Sequence, residues 1–366
     1  MLAQLKVLTV SSEPGGAKNL VAVAQEFNEV AVFKNCCSRG AVPVFKASGL
    51  KYEQAGHINK LSDAVALLQT VRPDVILSGR GIDPASFERR ITRAAQTLQV
   101  PCIGVIDEWY DYRKNYEDAS GNLTGLPDIV CCPDNQARQE AIHDGLPVDI
   151  LHVTGSPALA SVFDQRERYQ NLKPAGLNPV SREAEGPVIV FLSEIIRPEL
   201  VGSPASQHGE GPGYSEHSVR ESLRDCLEGV FGQFSVIEKL HPSSGMQDYP
   251  ALGTKTIGWQ TVKDKDLGLL FWQADIVVGM RTAALIEAWL YGTATVSFQP
   301  GLIGENRCTA VRKRLIPCFS QPGSLEEWLR SQSFERKMSL VARPGFACRE
   351  AAGNVFSVLE NLAVRH

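Results

Sequence analysis

Residues 274–301 read ADIVVGMRTAALIEAWLYGTATVSFQPG. The run ADIVVGM is apolar throughout, as in a strand buried on both faces of a parallel sheet. A helix is expected near 282–291, Gly292 closes it, and ATVSFQPG opens the next strand. Strand, helix and strand in this order form the βαβ unit of a parallel sheet. Its geometry aims the N–H groups of residues 281–284 outward from the sheet's carboxyl end, where they can cradle a diphosphate without metal. Glu287 lies about one and a half turns inside the helix, where a carboxylate can accept two hydrogen bonds from a ribose diol.

The same alternation extends through most of the chain. The first half offers LKVLTV (5–10), DVILSG (74–79), CIGVID (102–107), DIVCCPD (128–134) and a last strand in LHVTGSP (151–157). Helices are expected near 17–27, 60–71, 84–99 and 135–144, and residues 29–46 are expected to hold one or two short strands. A second series runs through VIVFLSE (188–194), FSVIEKLHPSS (234–244), TKTIG (254–258), 274–280 and 294–301. Its helices are expected near 215–231, 264–273, 282–291, 304–314 and 324–331. The predicted class is therefore α/β, with two doubly wound, Rossmann-like parallel-sheet domains.

A chain of 366 residues is longer than the size at which one core stops growing, about 250–300 residues. The segment 165–187 is polar, holds three prolines and lacks apolar periodicity, which marks it as a linker. The expected boundaries are a first domain at 1–165, a linker at 166–187, a second domain at 188–345, and a C-terminal helix at 346–366 packing back on the first domain. The glycine- and proline-rich stretch 197–217 reads as a long loop, either a lid over the cleft or a disordered insertion.

A formal net charge of −4 gives no global attraction for nucleic acid or an acidic membrane. The nine cysteines include the adjacent pairs Cys36–Cys37 and Cys131–Cys132, which suit neither a common disulfide framework nor a zinc site. The N-terminus lacks the pattern of an export signal, and no apolar run approaches about 18 residues. These features predict a cytoplasmic protein with reduced thiols, without an integral membrane segment or a nucleic-acid partner.

The spacing Gly-x-Arg-Thr-x4-Glu-x4-Gly over 279–292 resembles the nucleotide-sugar-binding unit of GT-B glycosyltransferases and UDP-N-acetylglucosamine 2-epimerases. That resemblance implies two domains facing a cleft, with 188–345 as the donor domain. It gives Arg281, Thr282 and Ala283, following Gly279, the phosphate role and Glu287 the ribose role. EKLHPSS (238–244) ends a strand in His241-Pro242, with the backbone pinned by proline. It resembles the His-Pro motif of bacterial sialyltransferases and polysialyltransferases, and that of CDP-glycerol glycerophosphotransferases. On that resemblance His241 contacts the donor phosphate, and Ser243 and Ser244 add hydroxyl donors.

In GVIDEWYDYRKNY (104–116), Asp107 and Glu108 end a strand-like run. A carboxylate partly desolvated by Trp109 and Tyr110 has its pKa raised toward the task of a general base. The same sialyltransferases carry an acidic pair followed by Gly, whereas Trp109 follows here. Asp107 can equally cap the next segment or pair with Arg113. Arg113 and Lys114 suit an anionic acceptor, and the aromatics suit stacking on a sugar ring. In SSEPGGAKNL (11–20), Glu13 is a second base candidate, and Gly15 and Gly16 permit close approach of a substrate. A turn accounts for SGRGIDP around Arg80 and Asp83, and loop solvation accounts for Glu194 and Arg197.

Together these readings predict a metal-independent glycosyltransferase of polysaccharide biosynthesis, with no cofactor beyond a nucleotide-sugar co-substrate. It would move a sugar, an acidic one among the options, to a glycan or lipid-linked acceptor. The alternatives are a UDP-N-acetylglucosamine 2-epimerase-like enzyme, a CDP-glycerol-type transferase and a non-catalytic sugar-nucleotide-binding protein.

Overall fold

The computed structural model describes residues 4–81, 86–118, 120–171, 186–196, 212–230, 232–242, 244–332 and 341–365. The chain forms two compact units, Met1–Ser161 with Arg343–His366, and Val162–Ala342. The first boundary falls inside the helix Pro157–Asn171, ahead of the polar segment that reads as a linker. Most of that segment, and residues 197–211 of the expected loop, lie outside the described residues.

In unit 1 the strands are β1 (Leu5–Ser11), β2 (Ala31–Cys37), β3 (Tyr52–Gln54), β4 (Val75–Ser78), β5 (Cys102–Val105), β6 (Ile129–Cys132) and β7 (Leu151–Val153). The helices between and after them are α1 (Pro14–Phe27), α2 (Ala41–Ser48), α3 (Leu61–Val71), α4 (Phe87–Leu98), α5 (Asn135–His143) and α6 (Pro157–Asn171). The sheet order is β3-β2-β1-β4-β5-β6-β7, with every pairing parallel. Period-2 geometry sends Cys36 and Cys37 into the two cores on opposite faces of this sheet, so these neighbours cannot bridge.

Unit 2 contains β8 (Val188–Leu192), α7 (Glu216–Gly229), β9 (Phe234–Lys239), β10 (Ile257–Val262), α8 (Leu267–Gln273), β11 (Ile276–Gly279) and α9 (Ala284–Leu290). It continues through β12 (Ala294–Phe298), α10 (Thr309–Arg312), β13 (Cys318–Phe319) and α11 (Pro322–Ser331). Its order is β10-β9-β8-β11-β12-β13, again parallel.

The last helix, α12 (Ala351–Arg365), belongs to unit 1 although it follows unit 2 in the chain. Its spacing puts Val355, Phe356, Leu359 and Leu362 on one face, and that face joins the core around α1. Phe356 stacks on Phe27 with ring centroids 4.1 Å apart. Each such side chain contributes about 1.5–3 kcal/mol on full burial.

Three elements depart from the sequence reading. Residues 29–46 hold one strand and the start of α2, in which Pro43 sits in the first turn, where its missing N–H costs no hydrogen bond. The strand read at 254–258 is Ile257–Val262, an edge strand whose Gly258, Gln260 and Thr261 are only part-buried. β13, with two residues, is too short to carry a period.

Candidate functional site

In both sheets the first strand lies between the second and the fourth: β1 pairs with β2 and β4, and β8 with β9 and β11. The connections leave such a central pair in opposite directions, which opens a crevice at the carboxyl ends of the two strands. The charged residues of interest collect at these two places.

In unit 2, Glu194 follows β8 and reaches across to the loop after β11. Its Oε1 accepts hydrogen bonds from the backbone N–H groups of Met280 (3.0 Å), Arg281 (2.7 Å) and Thr282 (2.9 Å). The Arg281 guanidinium lies 3.9 Å from the other oxygen. Burial raises the Glu194 pKa, against the Arg281 charge and the three N–H donors that favour the carboxylate. The first N–H groups expected to cradle a diphosphate therefore already bind an anion supplied by the chain itself. Glu194, read from the sequence as a solvated loop residue, is the one that fills them.

Thr282 Oγ1 accepts from Ala284 N at 3.3 Å, and α9 starts at Ala284, after Ala283 at its N-cap. Glu287 stands in the first turn, half-buried. Gly279 serves helix packing, since a Cβ there would lie 3.1 Å from Leu285 Cδ2.

His241 is exposed just beyond β9. Desolvation and the Lys239 and Lys263 cations lower its pKa, which favours a neutral imidazole with one N–H to donate. Ser244 turns inward: its hydroxyl accepts from Tyr249 at 3.0 Å and its carbonyl from Lys263 at 2.8 Å. It shapes the loop rather than presenting an exposed donor. Ser243 lies outside the described residues.

In unit 1 the crevice gathers Glu13, Arg80, Glu88, Asp107 and Glu108. Pro14 begins α1 and Glu13 is its N-cap. Glu88, buried on α4, accepts from the Ser12 N–H at 2.5 Å and the Ser12 hydroxyl at 2.8 Å. Arg80, after β4, is almost wholly buried and donates to Glu108 Oε2 at 2.5 Å and to the Tyr110 carbonyl at 3.0 Å. Its Nε lies 3.7 Å from Asp107 Oδ1, an atom with no hydrogen-bond partner among the described residues.

Burial pushes the Asp107 pKa up to about 7; Arg80 opposes the rise, and Glu108 and Glu13 add to it. Glu13 is raised by burial and by Glu88. The two base candidates are thus brought into one electrostatic cluster.

Gly15 and Gly16 serve contacts within the protein. A Cβ at Gly15 would lie 2.1 Å from Asp107 Oδ2, and one at Gly16 3.0 Å from Gly79 Cα. Gly15→Ala is therefore expected to displace Asp107 and to destabilise the fold by about 1–3 kcal/mol. Thermal unfolding checks this, and an unchanged Tm would contradict it.

Trp109 does not present its ring to a ligand. It is buried, donates to Asp134 Oδ1 at 3.0 Å and meets Phe346 edge to face at 5.7 Å. Tyr110 lies under the Arg80 guanidinium, 5.6 Å from the ring centroid. Arg113 pairs with Glu117 at 3.0 Å and donates to the Gly121 carbonyl, and Lys114 is 3.3 Å from Asp111. These cations, expected to meet an anionic acceptor, have local partners. Asp83 lies outside the described residues.

Sequence reading passed over Arg80 and Glu194. Their signal was position: each follows one strand of the central pair in its sheet, and a 3-2-1-4 order would have pointed to both.

No family model and no curated protein sequence matches the chain. Solved structures do. The UDP-GlcNAc 2-epimerase from Neisseria meningitidis, determined with UDP-GlcNAc, is similar at 15% identity and TM-score 0.71, over 98% of this chain and 100% of that one. The Methanocaldococcus jannaschii UDP-GlcNAc 2-epimerase, in complex with UDP-GlcNAc and UDP, is similar at 11% identity and TM-score 0.69, over 98% and 100%. The glycosyltransferase SnogD from Streptomyces nogalater is similar at 15% identity and TM-score 0.53, over 99% of both chains. These likenesses establish the fold as GT-B type, with two parallel-sheet α/β domains.

Proposed function

We propose that the chain is a nucleotide-sugar enzyme, and specifically a glycosyltransferase that transfers a sugar to a glycan or lipid-linked acceptor. The observation that carries the transferase reading is the state of the unit 1 carboxylates. Glu108 is tied to Arg80 and Glu88 to Ser12, whereas Asp107, held between Arg80 and Gly15, has a pKa near neutrality. A base that titrates near neutrality suits removal of one proton from an acceptor hydroxyl.

In this reading Asp107 takes that proton as the acceptor oxygen bonds to the anomeric carbon. The bond from that carbon to the phosphate oxygen breaks, and the nucleoside diphosphate leaves. Because Glu194 holds the backbone N–H groups, the side chains of Arg281, Thr282 and His241 receive the leaving charge, and Glu287 the ribose. No metal ion is assigned a step. Free thiols favour action in the cytoplasm, and among the described residues no helix is long and apolar enough to cross a membrane.

A second reading, a 2-epimerase, is favoured by the coupling of Glu13 to Asp107, since two acids of raised pKa can divide the roles of acid and base. Incubation with UDP-N-acetylglucosamine alone, followed by proton NMR, separates the readings. The transferase reading expects no manno isomer without an acceptor. Its formation, with free UDP, would establish epimerisation instead. A CDP-glycerol donor and the other nucleotide sugars complete the panel.

A further inference from the structure

Arg80 is a deeply buried charge at the unit 1 crevice, its side chain 4% exposed. It is also the point where the loop after β5 is tied to the loop after β4. Three of its contacts fall on that one loop: the Glu108 carboxylate, the Tyr110 carbonyl and the Tyr110 ring face. The fourth is Asp107, which Arg80 approaches at 3.7 Å without a hydrogen bond.

The opposite side of Asp107 is closed by the backbone at Gly15, where even a methyl group has no room. Asp107 is therefore held between a guanidinium and a glycine. A guanidinium is suited to this because its planar fork reaches a carboxylate and a carbonyl at once and stays charged when buried.

We propose that Arg80 is the positioning residue for the unit 1 base, clamping the Asp107–Tyr110 loop so that the Asp107 carboxylate stands over Gly15. This rests on the reading of Asp107 as the base. Arg80 acts through Asp107 and Glu108 and touches no substrate itself. Glu108 serves as the counter-charge that divides the hold of Arg80 on Asp107.

The groups facing Asp107 are Arg80 from the loop after β4, Glu13 from the start of α1, and Glu108, Tyr110 and Tyr116 from its own loop. Glu88 and Arg39 act on Glu13. An opposite charge within about 4–6 Å lowers a carboxylate pKa by about 1–3 units. Loss of Arg80 should therefore raise the Asp107 midpoint, and loss of the Glu108 charge should lower it.

The test is carbon-13 NMR titration of the Asp107 carboxyl in full-length protein, assigned by its disappearance in Asp107→Asn. Arg80→Gln is expected to raise the midpoint by at least about 1 pH unit, with Arg80→Lys closer to the unsubstituted protein. Glu108→Gln, at a part-exposed site where folding is least at risk, is expected to lower it. An Asp107 midpoint unchanged in Glu108→Gln, or in folded Arg80→Gln, overturns the proposal. Failure of the base reading looks different: Asp107→Asn turns over normally while both titration shifts persist.

Discussion

Asp107→Asn is expected to lower kcat/KM by about 10²–10⁴-fold, the contribution of a positioned general base. Asparagine keeps the shape beside Gly15 and Arg80 but cannot accept the acceptor's proton. Nucleotide binding in unit 2 should be unchanged, since its named residues lie in the other unit. In the unsubstituted protein the rate should rise with pH through about 7 as Asp107 ionises. A variant that keeps its activity, or a profile flat from pH 5 to 9, would remove Asp107 from the mechanism.

The same residue has a stability consequence of fixed sign. Its folded pKa, about 7, lies above the unfolded value of about 3.9. Its contribution to stability is therefore full below about pH 4 and is lost as pH rises through 7. Asp107→Asn should melt higher than the unsubstituted protein at pH 8, with the advantage shrinking toward pH 4. A base held against its own ionisation costs stability where it is most useful.

The second large effect falls in the interior of unit 2. Arg220 and Glu238, their side chains 2% and 0% exposed, meet in a two-pronged pair at 2.6 and 2.8 Å. Glu238 also accepts from Trp259 Nε1 at 2.9 Å and Thr261 Oγ1 at 3.2 Å, and Arg220 donates to the Pro250 carbonyl. The guanidinium lies over the rings of Tyr249 and Trp259.

Arg220→Met leaves Glu238 charged, buried and without its counter-ion, which should cost about 3–5 kcal/mol. The double variant Arg220→Met, Glu238→Leu removes both charges and should recover much of that loss. Chemical denaturation of both variants checks the pair. A loss below about 1 kcal/mol for the single variant would mean that water reaches Glu238.

The fold was legible because its signals are local. An apolar run, a helix start and a closing glycine at 274–301 became β11, α9 and β12 with shifts of at most three residues. Where local signals were mixed, as in α2 with its valines and Pro43, the helix was missed. The site was less legible, because the destination of a side chain at a sheet edge depends on which strands are neighbours. Glu194 looked like loop charge until β8 was found beside β11. Trp109 looked like a sugar platform until Phe346, far along the chain, was found packed against it. The glycines of residues 11–20 suit close approach of a substrate, yet Gly15 makes room for Asp107.

The proposed chemistry requires unit 2 to hold a nucleoside diphosphate. Isothermal titration of the full chain with UDP, CDP and their sugar conjugates measures this directly. Saturable binding of one of them is expected, weakened at least about tenfold, or 1.4 kcal/mol, by His241→Ala and by Glu287→Ala, and unchanged by Asp107→Asn. No saturable binding by any of them, or binding that neither unit 2 substitution weakens, would contradict it.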